Sequence, residues 1–142
     1  MDLENKNILI TGGASGLGHA TATYFKKIGA VPILADLPGT ALEEAAAALG
    51  VSALGMDVTK SEDVSLALQS LDRLDGVVNC AGIAPAKKIL GRQGPHDLEL
   101  YARVVSVNLV GTFNVLRLGA EKMAMNEPNE HGERGGIVNT AS

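Results

Sequence analysis

The stretch Thr-Gly-Gly-Ala-Ser-Gly-Leu-Gly at residues 11–18 constrains the fold more than any other part of the chain. It follows Asn-Ile-Leu-Ile at 7–10, a continuous apolar run too short for a helix and bounded by polar and glycine residues. Such a run predicts a strand covered on both faces. Beyond the glycines, Leu17, Thr21, Tyr24 and Ile28 recur at helical spacing, and Gly29 supplies a stop. A strand, a glycine loop and a helix in that order aim backbone N–H groups at a common point, where orphan donors and the helix dipole favour a phosphate. The spacing is G-x-x-x-G-x-G, which is neither G-x-G-x-x-G nor a P-loop, because no Gly-Lys-Ser/Thr follows.

The same alternation continues along the chain. Val-Pro-Ile-Leu-Ala-Asp at 31–36 predicts a second strand, with Pro32 near its start, where a missing N–H is tolerated. Thr40 with Glu43 reads as a capping box for an alanine-rich helix through Leu49, closed by Gly50. Residues 51–58 predict a third strand, Thr59 with Glu62 a second capping box, and Val64, Ala67, Leu68 and Leu71 the apolar face of the next helix. Residues 75–82 predict a fourth strand running into a small-residue turn. An irregular loop spans 84–97, a long helix is expected from Leu98 to Met125, and Gly-Gly-Ile-Val-Asn-Thr-Ala-Ser at 135–142 is the last strand. Strands alternating with helices argue for an α/β fold with a parallel sheet and helices on both faces.

With 142 residues and 46% hydrophobic content there is material for one domain, residues 1–142. A net charge of -4, with no basic cluster beyond Lys26-Lys27 and Lys87-Lys88, argues against a nucleic-acid partner. The lone Cys80 excludes an internal disulfide and suits a reducing, cytoplasmic setting. Acids among the first residues are wrong for a targeting segment, and no apolar stretch is long enough to span a membrane. His19, His96 and His131 have spacings that suit neither a metal site nor a catalytic dyad, and no metal is expected.

Asp36 ends the second predicted strand. An acid there can accept both hydroxyls of an adenosine ribose, and its charge repels the additional phosphate of NADP, so NAD is the expected cofactor. Asn108 is a polar residue inside the apolar run Val-Val-Ser-Val-Asn-Leu-Val-Gly-Thr-Phe, a position that is costly without a hydrogen-bond partner.

Taken together, the glycine loop at 11–18, Asp36, Asp57-Val58, Asn-Cys-Ala-Gly at 79–82, Asn108 and the closing strand resemble the short-chain dehydrogenase/reductase family, in order and at family spacing. The resemblance implies a Rossmann-type doubly wound parallel sheet, incomplete at its C-terminal side, with about five of seven strands. It implies that Gly12, Ser15, Gly16, Leu17 and Gly18 wrap the pyrophosphate and adenosine side, that Asp36 holds the ribose, and that Asp57 and the Val58 backbone meet the adenine. Asn79, Cys80, Ala81 and Gly82 would line the cofactor site, with cysteine standing where the family usually carries a second asparagine. Asn108 would be the helix-kinking asparagine of a proton relay. Ser142 would hydrogen-bond the substrate oxygen on which hydride transfer places negative charge.

In the family a tyrosine and a lysine four residues beyond it complete the site. Tyr24 is followed at that spacing by Ile28 and Tyr101 by Val105, so neither matches. The chain is therefore expected to be the first portion of a longer enzyme, inactive alone and a homodimer or homotetramer when whole. Within the family, the loop after residue 82 and Asn-Glu-Pro-Asn-Glu-His-Gly-Glu-Arg-Gly-Gly before the last strand resemble the type 2 3-hydroxyacyl-CoA dehydrogenase branch. That branch implies a small-molecule acyl-CoA thioester or other secondary alcohol as substrate and a place in fatty acid metabolism, with Lys87, Lys88 or Arg92 near CoA phosphates. A 3-oxoacyl-carrier-protein reductase, another hydroxy-substrate dehydrogenase and a non-catalytic NAD-binding module remain the alternatives.

Overall fold

The computed structural model describes residues 2–141. In chain order the elements are β1 (Asn7–Thr11), α1 (Gly16–Lys27), β2 (Val31–Asp36), α2 (Thr40–Leu49), β3 (Ser52–Gly55), α3 (Ser61–Gln69) and β4 (Gly76–Asn79). A minimal antiparallel pair, β5 (Leu90–Gly91) and β6 (Gly94–Pro95), interrupts the loop that follows. Then come α4 (Leu98–Val105), a π-helical segment (Ser106–Gly111), α5 (Thr112–Ala124) and β7 (Gly136–Asn139). The main sheet runs β3-β2-β1-β4-β7, and every pairing in it is parallel. This is the doubly wound α/β sheet that the strand and helix alternation predicts.

Period-two alternation divides the core into two layers. Ile8 and Ile10 of β1 point to one face, where they meet Ala22 of α1, Leu42 and Ala46 of α2, and Leu34 and Val78. Leu9 points to the other and packs with Val64 and Leu68 of α3, Val115 and Met123 of α5, and Ile33 and Val77. Strands buried on both sides explain the apolar runs of the sequence. β7 is a sheet edge, and its Val138 is 60% exposed.

Local expectations fare unevenly. Neither capping box forms: Gly39 caps α2 and Lys60 caps α3, both without a side-chain bond, and Thr40 is already the first helical residue. Thr59 instead turns its hydroxyl to Asp57 Oδ1, 2.7 Å away. Gly50 does close α2 in the left-handed conformation. The third strand stops at Gly55: the Met56 N–H still reaches the Asp36 carbonyl at 2.8 Å, and the chain then leaves the sheet to form a connection to α3. Along α1 the bulky stripe is not the packed face. Leu17 and Tyr24 are exposed, whereas Gly18 and Ala22 are buried, because the helix approaches the glycine loop too closely for a large side chain. A Cβ on Gly18 would overlap the carbonyl of Gly12.

Candidate functional site

The first four strands, β1 to β4, deliver the residues at or just after their ends to one end of the sheet. Gly12 follows β1, Asp36 ends β2, Met56 follows β3 and Cys80 follows β4. β1 lies between β2 and β4, so the connections leave it in opposite directions and a crevice opens beside its end. A cleft of about 680 Å³ occupies that place.

The glycine loop forms its floor. Gly12, with φ +66°, backs onto the Cys80 and Ala81 backbone, where a Cβ would stand 2.9 Å from the Ala81 nitrogen. Gly16 opens α1 with φ +52°, and a Cβ there would meet nothing within 4 Å. Tight packing behind the loop and free space in front of its helix N-terminus make a cradle suited to a phosphate.

Thr11 ties the two sides of the crevice together. Its hydroxyl accepts from the Cys80 N–H and the Ala81 N–H, both at 3.1 Å, and faces Asn79 Oδ1 at 3.4 Å. Asn79 is buried and donates from Nδ2 to Asn139 Oδ1 of β7 at 2.8 Å, so its side chain stands behind the cleft and does not line it. Cys80, Ala81 and Gly82 do line it.

Asp36 is held at the rim by two backbone donors. Oδ2 accepts from the Ala14 N–H of the glycine loop at 3.1 Å and Oδ1 from the Leu37 N–H at 2.8 Å. Each oxygen keeps a further lone-pair site for a ligand hydroxyl. Asp57 takes up the N–H and the hydroxyl of Thr59 on Oδ1, at 3.0 and 2.7 Å, and Lys60 lies 3.8 Å from Oδ2. The Thr59 hydroxyl, first, holds its carboxyl below the ordinary value; burial opposes it, and the Thr59 N–H and the Lys60 charge add to the lowering. Burial pushes the Cys80 thiol up, and a hydrogen bond with Thr21 opposes this in part.

The far wall belongs to α4 and the π-helical segment, through Ala102, Arg103, Ser106 and Val107. Asn108 lies in that segment, and its side chain brackets one residue of the neighbouring loop, Ile83. Oδ1 accepts from the Ile83 N–H and Nδ2 donates to the Ile83 carbonyl, each at 2.9 Å. Its own carbonyl accepts from the Thr112 hydroxyl at 2.7 Å. A π-helical turn inside a longer helix often accompanies a functional position.

The model of the family described as short chain dehydrogenase matches residues 6–142. The chain belongs to that family. It is 51% identical to the 3-hydroxyacyl-CoA dehydrogenase type-2 of Drosophila melanogaster over 99% of this chain and 58% of that protein. With the human protein of the same description it shares 49% identity over 94% of this chain and 54% of the other. Among solved structures, the 3-hydroxyacyl-CoA dehydrogenase type-2 from Mycobacterium avium superimposes with a TM-score of 0.86 at 34% identity, over 97% of this chain and 57% of that one. The chain thus spans about half the length of the relatives it matches.

For this member of the short chain dehydrogenase family, the cleft gathers Gly12, Ser15, Gly16, Leu17, Gly18, Asp36, Asp57, Val58, Cys80, Ala81 and Gly82 along one surface. Asn79 is buried behind it, Asn108 is an exposed residue that bonds Ile83 of the lining without lining the cleft itself, and Ser142 lies outside the described residues. Neither Tyr24 nor Tyr101 reaches it, and Lys87, Lys88 and Arg92 are exposed on the loop after β4. The sequence reading missed Ala102, Arg103, Ser106 and Val107, which no local pattern distinguishes from ordinary helix residues. It also missed Leu37, Met56, Thr59 and Ile83, which adjoin recognised positions. No helix of the described residues is long and apolar enough to cross a membrane.

Proposed function

We propose that this chain is the NAD-binding part of an oxidoreductase that transfers a hydride between NAD and a secondary alcohol or ketone, with 3-hydroxyacyl-CoA and 3-oxoacyl-CoA as the substrate pair. The observation that carries the reading is the convergence of a phosphate cradle, the Asp36 carboxylate and the Asp57-Val58 wall on one cleft at the switch point of the sheet. The names and identities of the relatives support the substrate class.

The free space before Gly16 and the two free lone-pair sites of Asp36 fit a dinucleotide. In this reading Gly12, Ser15, Gly16, Leu17 and Gly18 hold the pyrophosphate, Asp36 the adenosine ribose, and Asp57 with Val58 the adenine. Cys80, Ala81 and Gly82 line the path toward the nicotinamide, and Asn79 supports that turn from behind. NAD, when bound, supplies the hydride acceptor. Asn108 fixes the loop after β4 through Ile83, and Ser142 orients the substrate oxygen. The Asp36 charge disfavours NADP, since an additional phosphate beside a carboxylate is repelled at close range. Residues 1–142 act as one domain, in a cytoplasmic homo-oligomer that serves fatty acid metabolism.

The test measures dissociation constants for NAD and NADP by calorimetry with the natural full-length protein. It then follows NADH formation from a short-chain 3-hydroxyacyl-CoA. NAD should bind at least tenfold more tightly than NADP, a difference of about 1.4 kcal/mol, and Asp36→Ala should narrow the gap. Equal affinities for the two cofactors sink the NAD assignment, and NAD binding without oxidation of the thioester sinks the substrate assignment.

A further inference from the structure

A single buried amide connects α5 to the wall of the cleft. Asn114 is 6% exposed, in a layer otherwise packed with aliphatic side chains. A carboxamide so placed is expensive unless both its ends are satisfied. Here they are: Nδ2 donates to the Val58 carbonyl at 2.9 Å, and Oδ1 accepts from Arg117 Nη2 at 2.8 Å. Arg117 Nη2 also donates to the Ser61 hydroxyl, 2.6 Å away, at the start of α3. The chain of bonds runs from α3 through two side chains of α5 to the peptide that carries Val58.

Val58 is gripped on its side chain as well. Gly111 lies against it so closely that a Cβ there would stand 2.6 Å from Val58 Cγ2. The adjoining turn is closed by the Lys60 N–H on the Asp57 carbonyl at 2.9 Å. The connection between β3 and α3 is held to the sheet at its start, where the Met56 N–H donates to the Asp36 carbonyl of β2 at 2.8 Å, and past that bond Val58 is positioned from outside by Gly111 and by Asn114 of α5.

We propose that Asn114, oriented by Arg117, is a positioning residue that sets the affinity of the cleft for the adenine end of its ligand by fixing the Val58 wall. The inference rests on the reading of the cleft as a dinucleotide site. Without the amide, the buried Val58 carbonyl loses its donor, and the connection relaxes toward another partner. A flat ring bound against Val58 then loses contact, while groups bound at the distant turn after β4 do not.

The experiment uses the natural full-length protein and its Asn114→Leu, Asn114→Asp and Arg117→Met variants. Calorimetry gives dissociation constants for NAD, adenosine monophosphate and nicotinamide mononucleotide, and thermal unfolding reports the fold. Leucine removes both bonds, whereas aspartate keeps the acceptor for Arg117 and removes the donor to Val58. Both should weaken NAD and adenosine monophosphate by roughly tenfold and leave nicotinamide mononucleotide within about twofold. Arg117→Met, at an exposed position, should weaken the adenine ligands by roughly threefold, and it decides the matter should the Asn114 variants fail to fold. A folded variant that binds adenosine monophosphate as the native protein does overturns the proposal, as does an equal loss for both mononucleotides, which a purely structural role would give. A native protein that binds neither NAD nor adenosine monophosphate overturns the dinucleotide reading itself, and the proposal with it.

Discussion

One hydroxyl, that of Thr11, accepts two backbone N–H groups from the turn after β4 and is itself buried. Valine has the same shape and no acceptor, so Thr11→Val leaves Cys80 and Ala81 N–H groups without their partner. It should destabilise the protein by about 1–3 kcal/mol in urea unfolding, and Thr11→Ser by much less. A Thr11→Val variant as stable as the native protein, beside a destabilised Thr11→Ser, would show that shape, and not the acceptor, is what matters. Thr59 acts on a charge. It is the main reason that the Asp57 carboxyl sits below its ordinary value of 3.8. A lowered carboxylate stabilises the folded state above that ordinary value, and the contribution disappears as pH falls through the lower, folded value. The stability difference between the native protein and Thr59→Val should therefore be present at neutral pH and close below about pH 4. A difference that persists unchanged at pH 2 would mean that Thr59 acts without the charge. Asp36 and the glycines could be read from sequence because their chemistry is local to a strand end. Thr11 and Asn114 could not be read in full, because their partners come from distant parts of the chain and are chosen by the fold.

At the level of elements, the strands were legible because burial on both faces leaves short uninterrupted apolar runs, and Gly50 and Gly29 marked real stops. The helix starts were less so. Thr40 and Thr59 carry the right side chains for capping, but the chain enters each helix one residue away from where they would serve. The π-helical turn at Ser106–Gly111 left no trace in apolar spacing, since one wide turn shifts the stripe by less than the width of a helix face. The packed face of α1 is not the stripe that marks the helix in sequence, for a related reason. Periodicity finds large apolar side chains, whereas close approach selects small ones. The two faces can be told apart by substitution. Gly18→Ala should cost about 1–3 kcal/mol through overpacking against Gly12 and weaken NAD with it. Leu17→Ala, on the exposed side, should change stability by no more than about 0.5 kcal/mol, although Leu17 lines the cleft. Urea unfolding of both variants checks this, and a large loss at Leu17 with none at Gly18 would restore the bulky stripe as the packed face.

On the scale of the molecule, the sheet separates two apolar layers that have no buried side chain in common among the described residues. The cleft draws on both: the glycine loop and α1 rest on one layer, while Val58 and the connection to α3 rest on the other. A ligand spanning the cleft thus reads the position of two packed bodies through the strands between them, and it binds well only when both are in register. This has a thermodynamic consequence. If the layers fold as one domain, damage to each should lower the same global stability, and because they share no buried partner the losses should add. Ile10→Val in the first layer should cost about 0.5–1.5 kcal/mol. Val64→Ala in the second should cost about 1–2 kcal/mol, the methyl groups lost being partly offset by the helix preference of alanine. The double variant should show the sum within about 0.5 kcal/mol, in a single urea transition of unchanged steepness. Two transitions, or a double variant no worse than the weaker single one, would mean that the layers unfold separately and that the cleft between them is assembled only when both are intact.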